Sequence, residues 1–234
     1  MISGPTAATM RQTIVDPEVR RSIWLSLYTA GAAALIAVAI GTPFAYLLAR
    51  RDFPGKKLVE GIIDLPIVIP HPVVGIALLS LVGRNFWVGR LLHELGVRLM
   101  GSVSGIIMVL TFVGLPFYLN AAREGFAGVS PRLEAVARSL GASGRQTFFL
   151  VTLPLAWRSL LAGIIMCCAR AISEFGAVVI IAYHPMIAPV LIYERFESFG
   201  LKYSQPVAVW LIFLCLTLFL LLRLVSPAPR PAAR

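Results

Sequence analysis

Arg170 and Glu174 stand four residues apart inside an apolar run, so on a helix they share a face. Ionisable groups in such a run pair with one another, or face water and act on a charged solute. Two readings follow: a structural ion pair, or an arginine that lowers the barrier for an anion. His71, set between Pro70 and Pro72, likewise reads as a satisfied buried histidine or as a polar group on a path. Glu60 and Asp64 make a second pair at the same spacing, expected to snorkel to an interface or to anchor a loop. Gly141-Ala142-Ser143-Gly144 sets a serine between glycines, and His184 is a candidate base for nucleophilic hydrolysis there. That chemistry needs both groups within hydrogen-bond reach. The serine falls in a polar loop and the histidine beside a proline at the far end of an apolar run, so the pair is expected to be too far apart. Cys167, Cys168 and Cys215 all lie in apolar runs and have no metal or disulfide spacing. They read as small buried hydrophobes. No catalytic, metal or cofactor-binding residue is expected.

The elements that hold these residues follow from composition. Of 234 residues, 58% are hydrophobic and 14% charged, more apolar and less charged than a soluble domain. The apolar residues fall in continuous runs long enough to cross a hydrocarbon core of roughly 30 Å. Backbone groups in that core must pair internally, so the runs are expected to be helices. Alternating segments of a β-barrel are not seen. Five spans are expected, near Ile23–Ala49, Leu58–Val82, Ser104–Asn120, Leu160–Tyr183 and Pro206–Val225. Pro66, Pro70 and Pro72 should kink the second, which places it inside the protein or along a path. The net charge of +10 lies mostly between the runs, which fits membrane topology and anionic headgroups and excludes nucleic acid as the simplest partner. Arg50–Lys57, Arg123–Arg158 and the C-terminal tail carry twelve basic residues, against eight on the opposite segments. Basic residues favour the inner side, so a cytoplasmic C-terminus is expected. Residues 1–21 read as a polar tail without the apolar stretch of a cleavable signal. Residues 22–225 read as the membrane domain and 226–234 as a disordered tail.

The longest connection, Ala121–Ser159, lies on the expected cytoplasmic side and needs structure of its own. Ser130 can cap a helix there and Pro131 suits its first turn. Leu133, Val136, Ala137 and Leu140 make one apolar stripe. Gly141 can stop the helix in a left-handed conformation. Periodicity leaves three uses open: packing on its own spans, lying on the membrane surface, or docking in a partner's groove.

The segment Glu134-Ala135-Val136-Ala137-Arg138-Ser139-Leu140-Gly141, continuing to Leu153-Pro154, resembles the signature of ABC importer permeases. Val136 stands where the family has a second alanine, and Val151 where it has isoleucine. The stretches GTPFAYLLARRDFPGKKLVEGIIDLPIVIPHPVVGIAL and RAISEFGAVVIIAYHPMIAPVLIYERF are similar to the molybdate/tungstate branch, with sulfate permeases as close relatives. The resemblance extends from about residue 22 to 224. It implies an all-α polytopic membrane protein with the type I ABC importer transmembrane domain, and a coupling segment at 130–154 seated on a cytoplasmic ATPase. By resemblance, Glu134, Ala135, Leu140, Gly141, Leu153 and Pro154 map onto that coupling segment. Relatives usually carry a further N-terminal span, where this chain has a short polar stretch.

The resemblance implies two permease copies, two ATPases and an external oxyanion-binding protein in a cell membrane. No G-x-x-x-x-G-K-S/T phosphate loop occurs, and Gly55-Lys56-Lys57 lacks the upstream glycine and the hydroxyl. ATP is therefore expected to act through a separate subunit. Few fixed cations lie within the spans, so a transient cavity between two copies is expected rather than a deep high-affinity anion site. His71, Arg170 and Glu174 remain the candidates for its path.

Overall fold

The computed structural model describes residues 6–83 and 85–225, and all regular structure among them is helical. In chain order the helices are α1 (Ala7–Val15), α2 (Pro17–Arg50), α3 (Lys56–Val68), α4 (His71–Val82), α5 (Trp87–Glu94), α6 (Val103–Ala127), α7 (Pro131–Ser139) and α8 (Gly144–Thr147). A π-helical turn (Phe148–Thr152) then leads into α9 (Leu153–Ile172), followed by α10 (Val178–Ile181), α11 (Ala188–Phe199) and α12 (Leu201–Val225). Four continuous helical stretches are long and apolar enough to cross a membrane: Pro17–Arg50, Val103–Ala127, Gly144–Ile172 and Leu201–Leu220. The pair α3 and α4 is together apolar enough to enter a membrane, as a broken span or a re-entrant loop, and is bent by 113° at Ile69–Pro70. No buried side-chain polar atom among the described residues lacks a hydrogen-bond partner, as a hydrocarbon surrounding demands.

α6 is the central helix and packs against both α2 and α9. α2 turns a stripe of small residues inward: Ala30, Ala33, Ala34, Ala37, Gly41 and Ala45 are all buried. Small side chains let backbones approach closely where no hydrophobic force drives helices together in lipid. Trp24, Leu35 and Ile40 on the same helix are exposed, and in a bilayer they meet lipid or another subunit. α12 lies on the outside against α11 and α1, with the Trp210 indole donating to the Met10 carbonyl at 3.0 Å.

Several boundaries differ from the sequence expectations. The expected fourth span, Leu160–Tyr183, is displaced: its helix runs from Gly144 to Ile172, 29 residues, and the chain leaves the helix at Ser173. Arg145, Arg158 and Pro154 hide the start of this helix from a search for unbroken apolar runs. The expected long connection after the third span shrinks accordingly, because α6 continues to Ala127 and the fourth span begins at Gly144. The segment expected as a polar tail at 1–21 holds α1 and the first turn of α2, where Asp16 caps the helix by accepting from the Glu18 N–H at 2.9 Å. Asp16 also accepts from Arg195 of α11 at 2.6 Å, tying the start of α2 to α11. The tail expected at 226–234 lies outside the described residues. The three cysteines are free, Cys167 fully buried and the others partly.

Candidate functional site

Two constellations emerge, one at the end of the bundle that carries α7 and one at the break between α3 and α4. At the first, Ser130 has the extended backbone of a cap, and Pro131 fills the first helical position. The Ser130 side chain makes no capping bond. Gly141 ends the helix at φ +91°, a left-handed conformation that side chains other than glycine adopt with strain. Leu133 (48% exposed), Val136 (55%) and Leu140 (83%) project outward as one apolar stripe. Ala135 and Gly141 are exposed beside them.

Glu134 behaves differently from its neighbours. It is only 4% exposed and points into its own bundle. Its Oε1 accepts from Arg50 Nη2 at 2.7 Å, from Arg50 Nε at 3.0 Å and from Thr152 Oγ1 at 2.8 Å. Tyr46 donates to Oε2 at 3.3 Å, and Arg50 also donates to the Val129 carbonyl at 3.0 Å. Burial raises the carboxyl pKa, but the bonds from Arg50 and Thr152 outweigh it and hold Glu134 below its ordinary value. The Glu134 side chain thus clamps α7 to α2 and to the turn before α9, while its neighbours Leu133, Val136 and Leu140 face outward.

Leu153 and Pro154 lie where that clamp meets α9. Pro154 has no N–H to offer the carbonyl one turn back, and its ring crowds that carbonyl. The turn before it widens, with the Leu153 N–H bonding the Phe148 carbonyl five residues earlier. The widened turn includes Thr152, whose hydroxyl reaches Glu134. Tyr46 packs edge-on against Phe126 and Phe148, centroids 5.5 and 5.0 Å away, and covers the ion pair.

Ser143 is a helix cap. Its hydroxyl accepts from the Gln146 N–H at 3.3 Å while its own N–H donates to Gln146 Oε1 at 2.8 Å. His184 lies beyond the far end of the same 29-residue helix, which is roughly 43 Å long at 1.5 Å per residue, and lines a cleft with Glu18, Arg21 and Ser22 at the start of α2. Ser143 and His184 stand at opposite ends of that helix, so a serine–histidine hydrolase site is excluded.

The second constellation gathers His71, Arg170 and Glu174. Arg170 Nη2 lies 2.7 Å from His71 Nε2 and donates to Glu174 Oε2 at 2.5 Å. Arg170 Nη1 donates to Ser173 Oγ at 3.2 Å. Glu174, 1% exposed, uses its other oxygen to accept from the Ala177 N–H at 2.8 Å, holding the turn that follows α9. His71 is hydrogen-bonded and half-buried, between the two sequence readings of a satisfied buried histidine and a polar group on a path. Gly75 makes this meeting possible: a Cβ there would sit 3.0 Å from the Ala177 backbone. Sequence spacing exposed the Arg170–Glu174 pair, but nothing local signalled that His71, 99 residues away, joins it. Ser173 was missed; its place one residue before Glu174 was the available hint. Glu60 and Asp64 bond a neighbouring helix rather than a loop. Glu60 pairs with Arg123 at 2.6 Å and Asp64 accepts from Asn120 at 2.7 Å, fastening α3 to α6.

Comparison with known proteins places these constellations in context. The family described as "Binding-protein-dependent transport system inner membrane component" matches residues 41–231. The molybdate/tungstate transport system permease protein WtpB of Thermococcus kodakarensis is 47% identical over 212 residues, covering 91% of this chain and 81% of that one. The sulfate transport system permease protein CysT of Synechocystis is 34% identical, covering 86% of this chain and 72% of that one. Among solved structures, the MetNI methionine ABC transporter in inward-facing form superposes with a TM-score of 0.67 at 16% identity, over 94% of this chain and 95% of that chain.

Proposed function

The chain belongs to the family of binding-protein-dependent transport system inner membrane components, and from that premise we propose that it is the permease subunit of an importer for molybdate- and tungstate-type oxyanions. It is a transport component and not an enzyme; ATP is hydrolysed by a separate subunit. The working unit in this reading is two copies of the chain with two cytoplasmic ATPases and an external oxyanion-binding protein. The C-terminus and α7 face the cytoplasm.

The observation that carries the reading is α7. A stripe of Leu133, Val136 and Leu140 left exposed on a short helix costs free energy in water unless a partner covers it. The same helix is fixed from behind by Glu134, so a push on the stripe reaches α2 through Arg50 and α9 through Thr152. In this account ATP-driven closure of the ATPases moves both α7 helices, the two permease copies rock, and the cavity between them opens outward. Release of the hydrolysis products reopens it inward.

Gly141→Asp tests the assignment. The left-handed stop is lost and a charge enters the docking surface, so the ATPase is expected to copurify at less than about a tenth of its normal yield while membrane insertion is normal. Full copurification contradicts the reading. Molybdate and tungstate are favoured over sulfate by the difference between 47% and 34% identity to the respective relatives. Uptake of labelled molybdate that excess sulfate suppresses as well as tungstate does would favour the sulfate alternative.

A further inference from the structure

We infer that Arg170 and Ser173 form a transit contact for a tetrahedral oxyanion within the membrane domain, with His71 and Glu174 holding the guanidinium and balancing its charge. The inference rests on the permease reading above and assigns the path within it. The place comes from the fold. His71 opens α4 at the break between a 13-residue and a 12-residue apolar helix. Arg170 sits in the last turn of α9, against that break.

The geometry leaves donors to spare. Of the five N–H groups of a guanidinium, three are engaged: two on Nη2 by His71 and Glu174, and one on Nη1 by Ser173. One N–H on Nη1 and the N–H on Nε remain. A guanidinium N–H only donates, so the His71 nitrogen facing it accepts and the imidazole adds no positive charge in this arrangement. The Arg170 side chain is 17% exposed, and Ser173 is exposed beside it. A partly uncovered arginine facing hydrocarbon is strongly disfavoured, so this side faces water or a hydrated cleft. Two spare N–H groups on a wet surface match the acceptor oxygens of a tetrahedral dianion, and the exposed Ser173 hydroxyl, which donates to the Arg170 carbonyl at 3.0 Å, joins them by turning from that carbonyl.

Charge balance explains why this is a place of passage. Arg170 and Glu174 sum to zero, and Glu174 is fixed by the Ala177 N–H, so it cannot swing away freely. An unbalanced arginine at low dielectric would trap a dianion; a neutral pair with spare donors offers hydrogen bonds without a deep electrostatic well. Permeation needs contacts favourable enough to enter and weak enough to leave.

The test uses the assembled transporter, with ATPase and binding protein, in proteoliposomes, measuring labelled molybdate uptake and ATP hydrolysis together. Arg170→Gln combined with Glu174→Gln removes both charges while keeping hydrogen-bonding groups in place. Uptake is expected to fall about tenfold or more while stimulated ATP hydrolysis stays within about twofold. Arg170→Lys, which keeps the charge but loses the fork, is expected to retain intermediate uptake. Undiminished uptake by the double variant overturns the inference and leaves the permease reading intact. Equal loss of uptake and ATP hydrolysis also overturns it, because that is the mark of a purely structural cluster. Should the double variant fail to assemble, Ser173→Ala decides: a loss of about threefold at limiting molybdate supports the contact, and unchanged uptake removes it. If the unaltered transporter moves no tetrahedral oxyanion, the substrate reading fails first, and this inference with it.

Discussion

Glu134 sits on a nine-residue helix whose other side chains are mostly open to solvent, yet it is buried and accepts four hydrogen bonds from three residues. Glu134→Gln preserves its shape and removes its charge, leaving Arg50 without its counter-ion. The clamp should weaken by about 1–3 kcal/mol, since a charge-assisted network loses more than a neutral bond. Hydrogen exchange of α7 is expected to quicken while the spans keep their protection; equal exchange in both proteins would show that the clamp contributes nothing. Acid should mimic the variant. The folded pKa lies below the ordinary 4.5, so the stabilisation is complete at neutral pH, declines as pH falls below about 4.5, and is gone below the depressed folded value. At this scale the sequence was readable only where physics is local. Pro131 and Gly141 announce where α7 begins and ends because each acts through its own backbone. The partnership of Glu134 with Arg50 spans 84 residues and has no local trace.

Among the elements, continuous apolar runs located the spans, and the small residues of the first span do face inward. Ends were harder to read, because Arg145, Arg158 and Pro154 are compatible with a helix that emerges from the membrane, as the 29 residues from α8 through α9 are long enough to do. The bend between α3 and α4 was legible in Pro66, Pro70 and Pro72, although its 113° angle depends on what α4 meets. What it meets is the turn after α9, across Gly75. Gly75→Ala would place a methyl 3.0 Å from the Ala177 Cα and carbonyl oxygen, backbone atoms that cannot rotate aside. A loss of about 1–3 kcal/mol is expected, read as a lowered thermal midpoint in detergent. Gly61→Ala in α3 meets nothing within 4 Å and serves as the control, with stability unchanged or raised by up to about 1 kcal/mol. A Gly75→Ala protein as stable as the control would mean that α4 does not press on this turn.

For the whole molecule, the two constellations lie along the same helix. α9 carries Arg170 in its last turn, and the widened turn before α9 holds the Thr152 hydroxyl against Glu134. A movement imposed on α7 therefore has one continuous helical stretch, Gly144–Ile172, along which to reach the Arg170 cluster. Family membership was legible because the coupling segment and the two long oxyanion-type stretches are contiguous in sequence; the link between the two constellations was not, because it exists only once α9 is folded against α4. The whole account depends on the stripe of α7 being the surface on which the ATPase acts. With Cys167, Cys168 and Cys215 replaced by alanine, Leu140→Cys can be challenged with a short thiol crosslinker in the assembled transporter. A crosslink to the ATPase, formed from the cytoplasmic side and changing in yield between nucleotide-free and ATP-bound states, is the predicted result. A Leu140→Cys thiol that stays freely reactive in the complex, or is reached only from the external side, would contradict the account.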